Sequence, residues 1–361
     1  MKKLSKLLSA AVKINETARI NNYPLIPSYL RFYQLATSEQ YSPVEIFMED
    51  LLNPCWSDED RAGMISKESF LRLQESVNPR PYRYLTEDKI AFHHFCIKKG
   101  LPIPELVAVY DSRKKSYWED GTPIHSKEDF LNGLARYPFG IIAKPVHGAH
   151  GDGVICLAFV NGKHHPVNHA DRTLVESLSN IFAPQSDAYI LQKMLYSHKA
   201  IADFTSNATL QGLRLITCLD ESDQPKLAIR KLKLPRKGDI IDNFSWGVNQ
   251  GRQCVVDENG FITSTAIYEH KKKHVIRLDY VEDAAGNRVP FRVPMWEQCV
   301  ALVLDAQQAF APLRTIGWDV AVTGNGPVLI EGNVFWDPLM PQEGSMREIC
   351  ALLTKMGSVT V

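Results

Sequence analysis

The stretch that most narrows what this chain can fold into is GWDVAVTGNGPVLIEGN, residues 317–333. Two apolar runs flank the turn Gly324-Asn325-Gly326, which is the pattern of a β-hairpin. Reflected about Asn325 with no bulge, Asp319 falls opposite Glu331, because each stands six residues away. Strand alternation then puts Glu331 and Asn333 on one face. Two carboxylates directly across a ladder destabilise it unless something neutralises them. A divalent cation does so: Asp, Glu and Asn offer hard oxygen ligands, and Mg²⁺ takes one or two carboxylates plus substrate phosphate oxygens. The competing reading is a solvated acidic patch on a sheet edge. Trp318, Val320, Val328, Leu329 and Ile330 weigh against it, since they make both strands look buried.

A second stretch, AKPVHGAHGDGV at 143–154, raises the question of a phosphate loop. Gly148 and Gly153 have P-loop spacing, but Val154 and Ile155 stand where Lys and Ser or Thr are required, and a β-rich run follows where a helix should start. A Gly-rich loop between two strands instead closes over phosphates as a flap, with backbone N–H groups approaching the anion. For Gly148, Gly151 and Gly153 alone, an ordinary hairpin loop is the competing reading, and His147 reads as flap surface. Lys144, at the end of the strand GIIAKPV and ahead of the glycines, is more telling. A lysine pointing inward from an apolar strand needs a charged partner.

Between these signals lie QGLRLITCL and AIRKLKLPRKGDIIDNF. Arg214 sits inside an apolar strand and needs an anionic partner; a planar guanidinium suits phosphoryl or carboxylate oxygens. Alternation puts Arg230 on the face opposite Lys231 and Lys233. Lys233, Arg236 and Lys237 read as solvated loop charge. Asn243 is either a polar site residue or the anchor of an Asx-turn.

The remaining sequence sets the frame. Residues 1 to about 80 look mostly helical, with SPVEIFMEDLLNP the clearest case: Ser42 caps, Pro43 suits the first turn and Pro54 stops it. From about 85 helices alternate with short strands. TEDKIAFHHFCIKKG is a helix with Thr86 as its cap, and SKEDFLNGLARYP another with Ser126 and Asp129 as a capping box. Largely antiparallel strands mixed with helices indicate α+β lobes rather than a doubly wound sheet. Lys+Arg and Asp+Glu balance at 41 each, so no global field draws the chain to nucleic acid or an anionic membrane. No apolar run approaches the roughly 20 residues of a membrane span, and the opening MKKLSKLLSAAVKINET reads as an amphipathic helix rather than a signal peptide. Seven cysteines without C-x-x-C spacing argue for a reducing compartment, so the expected location is cytoplasmic.

In this order the motifs resemble the ATP-grasp superfamily from about residue 85 to about 345: strand lysine and flap in AKPVHGAHGDGV, the hinge strand YILQKML, the basic strands, and the final Asp…Glu-x-Asn. The resemblance is greatest to the α-L-glutamate ligase-like branch and to ATP-grasp proteins found beside sugar-transfer genes. It implies two α+β lobes holding ATP between them, at 83–195 with the flap and at 196–361 with the metal site, preceded by a helical region at 1–82. It further implies that Lys144 contacts ATP phosphates beneath the flap of His147, Gly148, Gly151 and Gly153. Gln192, Lys193 and Leu195 would line the adenine slot, and Lys89 would add a nucleotide contact. Asp319, Glu331 and Asn333 would bind two Mg²⁺ ions, for which Mn²⁺ could substitute. Arg214 and Arg230 would steady the transferred phosphoryl group, with Asn243 near the metals.

The activity implied is an ATP-dependent carboxylate–amine ligase working through an acyl phosphate, on small carboxylate and amine substrates that could be amino acids or sugar-linked acids. A small-molecule kinase or a nucleotide-binding regulator on the same scaffold are the alternatives, and a dimer is allowed. The chain departs from the family's ligases in its bulky VFWDPLMPQEG after the metal motif and in SWGVNQG in place of paired glycines, so the substrate is not borrowed from relatives.

Overall fold

Strands drawn from two halves of the chain build two separate sheets. The structure, a computed structural model, describes residues 2–148, 151–167, 173–183, 187–236 and 244–359. The first sheet holds β1 (Leu106–Tyr110), β2 (Ser116–Trp118), β3 (Pro123–Ile124), β4 (Ile141–Pro145), β5 (Ile155–Val160), β6 (Lys163–Pro166) and β7 (Tyr189–Lys193), in the order β3-β2-β1-β7-β4-β5-β6. The second holds β8 (Gly212–Leu219), β9 (Pro225–Leu234), β10 (Arg252–Val256), β11 (Ile262–Glu269), β12 (His274–Leu278), β13 (Thr315–Thr323) and β14 (Gly326–Asn333), in the order β12-β11-β10-β9-β8-β13-β14. All the pairings within both sheets are antiparallel, as an α+β chain requires. The Asn161-Gly162 turn between β5 and β6 has positive φ at both residues, which is why those two residue types occupy it. Strands β10 to β12 fall in a region where the sequence reading assigned none.

Each sheet has its own core. Val107, Phe130, Ile141, Leu157, Tyr189 and Leu191 fill the first. In the second, Leu213, Leu215, Leu232, Trp318 and Val320 pack against the long helix Trp296–Ala309. On the opposite face, Ile216, Cys218 and Ile229 pack against the helices Lys67–Val77 and Arg347–Val359. Among the described residues no helix is long and apolar enough to cross a membrane.

One helix belongs to both halves. Lys89–Lys98 is capped by Asp88, whose carboxylate accepts the N–H groups of Ile90 and Ala91. Thr86, expected as the cap, lies instead in the preceding turn Tyr84–Glu87, because Asp88 reaches two orphan donors from a better position. Phe92 and Cys96 on this helix join the core of the second sheet, while His93 turns toward Gln192 of the first. The helix begun by Ser42 forms its capping box with Glu45 but runs only from Pro43 to Met48; the chain turns at Asp50, with φ 54°, well before Pro54.

Candidate active site between the sheets

Asp319 and Glu331 do face each other across β13 and β14, but by a different route from simple reflection. The turn has two residues, with Thr323 paired to Gly326, a register that carried through would set Asp319 against Ile330. A β-bulge supervenes: Val320 pairs with Leu329 and Asp319 with Glu331, leaving Ile330 as the extra residue. The bulge also changes faces. Leu329 is buried with Val320 in the helix-packed core, and without the extra residue Glu331, two positions on, would point there too. Bulges re-aim side chains in this way beside functional sites.

On the re-aimed face a charge cluster forms. Arg214 of β8, directly opposite Asp319, donates Nε at 2.8 Å and Nη2 at 3.0 Å to its two carboxylate oxygens. Lys233 of β9 places Nζ 3.2 Å from the same carboxylate. Burial pushes the Asp319 carboxyl up, but Arg214 and Lys233 outweigh it and hold the group below its usual value. Asn333 donates its amide to Glu331 Oε1 at 3.3 Å and to the Gly317 carbonyl at 3.5 Å. Lys231, on the same face, pairs with buried Glu343 at 2.7 Å.

Two expectations change here. Lys233 is no solvated loop charge: it lies within β9 and its side chain is 12% exposed. Arg230 pairs with Leu215 on the face packed by the long helix, and its Nε donates to the Val256 carbonyl at 3.3 Å. Alternation therefore keeps it away from Arg214 and Asp319, and Lys231 and Lys233 stand where it was expected. Asn243 lies outside the described residues.

The first sheet presents its own face to this cluster. Antiparallel pairing sets Lys144 opposite Ile190 and Ile142 opposite Gln192, so these four side chains share one face. Burial pushes the Lys144 ammonium pKa down, opposed by the nearby Glu331 carboxylate and reinforced by Lys89. Lys144 of the first sheet and Glu331 of the second thus lie close enough to act on one another's charge. Lys89 Nζ donates to the Gly148 carbonyl at 2.6 Å, which brings a second lysine to the base of the flap. Gly153, at φ +75°, would set a Cβ 2.9 Å from Pro145 Cγ, so the strand lysine's neighbour packs tightly only against glycine. His147 donates its backbone N–H to Asp187 at 2.6 Å; its ring lies 3.0 Å from Asp187 Oδ1 and 3.8 Å from Asp88 Oδ2. These contacts commit His147 to carboxylates at the flap base.

At the hinge, Gln192 is buried against His93, 3.4 Å away. Lys193 lies on the other face, where it pairs with Glu105 at 2.8 Å and covers the Phe139 ring. Half-buried Leu195 follows Met194, whose N–H donates to the Gly140 carbonyl at 2.7 Å. Gln192 and Lys193 therefore present opposite sides of one strand. Asp187 and Glu343 carried no sequence signal of their own, because each is recognisable only by the distant residue it binds.

The donors fit a hard cation. Two carboxylates and an amide oxygen are the ligand types Mg²⁺ selects, and a carboxylate gripped by a guanidinium keeps further lone pairs for a metal.

Among solved structures, a D-alanine–D-alanine ligase from Bacillus anthracis is 14% identical over 76% of this chain and 67% of its own, with a TM-score of 0.40. The N5-carboxyaminoimidazole synthetase of Staphylococcus aureus, complexed with ADP, is 12% identical over 76% of this chain and 52% of its own, at 0.41. A D-cycloserine synthetase is 12% identical over 81% and 79%, at 0.44. The chain thus spans about half to two thirds of the first two ligases. No curated protein matches the sequence. The family model for sugar-transfer associated ATP-grasp proteins matches residues 69–349, which covers both sheets, Lys144 and the two paired carboxylates. The chain belongs to the sugar-transfer associated ATP-grasp family.

Proposed function

We propose that the protein is an ATP- and Mg²⁺-dependent ligase joining a carboxylate to an amine through an acyl phosphate. The observation that carries this reading is the pair Asp319 and Glu331 across one ladder, with Arg214 and Lys233 on Asp319 and Lys144 of the first sheet within reach of Glu331's charge. Asp319, Glu331 and Asn333 would hold Mg²⁺, which when bound offsets phosphate charge. Lys144 and Lys89 meet the phosphate oxygens beneath the flap. Gln192 lines the nucleotide slot from the Lys144 face, and the backbone of Lys193 and Leu195 supplies its edge. Arg214 acts through Asp319: its two bonds fix the carboxylate's orientation and keep it ionised.

An oxygen of the substrate carboxylate attacks the γ-phosphorus of ATP; the new O–P bond forms as the bond to the β,γ-bridging oxygen breaks, releasing ADP. An amine nitrogen then attacks the acyl carbon, the C–O bond to phosphate breaks, and the amine gives up a proton. Lysines placed in advance stabilise the charge that develops on the transferring group. The flap excludes water that would otherwise hydrolyse the acyl phosphate.

The test is release of ADP and inorganic phosphate with Mg·ATP over pooled carboxylates, with and without pooled amines. Equal amounts of both products, dependent on both pools, support the ligase. ADP without phosphate overturns it in favour of a kinase.

A further inference from the structure

The whole chain is electrically balanced, but its charge is not evenly spread. The helix Lys2–Asn21 contains Lys2, Lys3, Lys6, Lys13 and Arg19 against one acidic residue, Glu16. The fold adds to this excess. Asn21 Nδ2 donates to the Lys272 carbonyl, and Lys273 pairs with Glu16 at 2.6 Å, so the turn of Lys271, Lys272 and Lys273 abuts the end of that helix. Residues 250 positions apart in sequence thereby form one basic rim, and Arg19, Lys271 and Lys272 on it are exposed.

Beside this rim is an uncovered apolar face. The helix Leu25–Thr37 lies against Lys2–Asn21, with the Tyr29 hydroxyl donating to the Ala11 carbonyl. Leu35 is fully buried below, whereas Ile26, Leu30 and Tyr33 are 73%, 68% and 70% exposed. Their i, i+4, i+7 spacing makes a continuous stripe. Across the Tyr29 seam, Leu8 and Val12 are 62% and 66% exposed, and Arg19 lies on their side of the helix. Single exposed apolar residues are ordinary, but a stripe on two adjoining helices marks a contact surface.

A second copy of the chain fits this face poorly, because a two-fold contact would set one basic rim against another. An anionic surface that accepts apolar side chains fits both features at once. We propose that the hairpin Lys2–Thr37, with the lysine turn 271–273, docks on an anionic lipid bilayer. The helices lie in the plane of the interface, with Leu8, Val12, Ile26 and Leu30 in the acyl boundary and Tyr33 at headgroup level. The lysine turn and Arg19 rest against lipid phosphates.

The experiment is flotation of the full chain with vesicles of phosphatidylglycerol and phosphatidylcholine, and with phosphatidylcholine alone. Binding to the anionic vesicles alone, weakened by salt, is expected. The combined change Leu8→Ser, Val12→Ser, Ile26→Ser and Leu30→Ser should abolish it with no fall in melting temperature, since these side chains are exposed. Lys271→Ser and Lys272→Ser, which leave the apolar face intact, should each lower the partition about fivefold. No binding to either vesicle, or equal binding to both, would overturn the proposal. So would a lipid-free dimer that the serine changes convert to monomer, which would assign the face to self-association.

Discussion

Asp319 is nine-tenths buried between a guanidinium and an ammonium. A buried carboxylate without partners would neutralise itself, so the two cations keep it an anion fit for a metal. Replacing Asp319 by Asn should lower turnover to background while the chain stays folded, read by product release and circular dichroism. Its folded-state pKa is depressed, so the stability it contributes is present at neutral pH and lost as pH falls below about 4. The stability gap between wild type and Asp319→Asn in urea melts should therefore narrow as pH falls below that value. His93 gives a second, higher window. Burial, helped by His94, holds its imidazole at about 4, below the usual 6.5, so it is neutral at neutral pH. Stability is then lost as pH falls from about 6.5 toward about 4, by roughly 3 kcal/mol. His93→Gln should flatten that loss, seen by comparing melts at neutral pH and near pH 5.

The bulge at Ile330 is what sets Glu331 beside Asp319 on the cleft face of the β13–β14 hairpin. Inserting one alanine between Ile330 and Glu331 should turn Glu331 and Asn333 toward the helix-packed core and abolish Mg·ATP turnover. A fully active insertion variant would show that the face of Glu331 is immaterial. The hairpin, its buried character and the facing of the two carboxylates were legible in residues 317–333. The bulge was not, since it depends on how Leu329 and Glu331 divide between core and cleft. Arg214's need for an anion was legible from its apolar strand, and alternation separated Arg230 from Lys231 and Lys233. That Lys233 rather than Arg230 reaches Asp319 follows from which sheet face the long helix covers, and this is decided by packing. Strands β10 to β12 escaped because their hydrophobic alternation is weak; β11 alternates only partly, and β12 is only five residues long.

At the scale of the molecule, the proposed nucleotide site takes residues from both sheets, so Mg·ATP should stabilise the chain as one unit. A ligand at a hundred times its Kd adds about 2.7 kcal/mol, visible as a rise in Tm. Lys144→Met should remove most of that rise without lowering the Tm of the free protein, because burial disfavours the charged lysine there. The helix Lys89–Lys98 sets how the two halves come apart. Its apolar side, Phe92 and Cys96, is sealed into the second core. Toward the first half it offers polar contacts: Lys89 to the Gly148 carbonyl, the Lys89 N–H to the Val146 carbonyl, and His93 to Gln192. Bonds of that kind hold about 1 kcal/mol each and are readily exchanged for water. The helix should therefore travel with the second half like the tongue of a lock, and the cleft should open along its polar side. An incoming phosphate would then compete with the Gly148 carbonyl for Lys89, so that the nucleotide itself takes over the flap's latch.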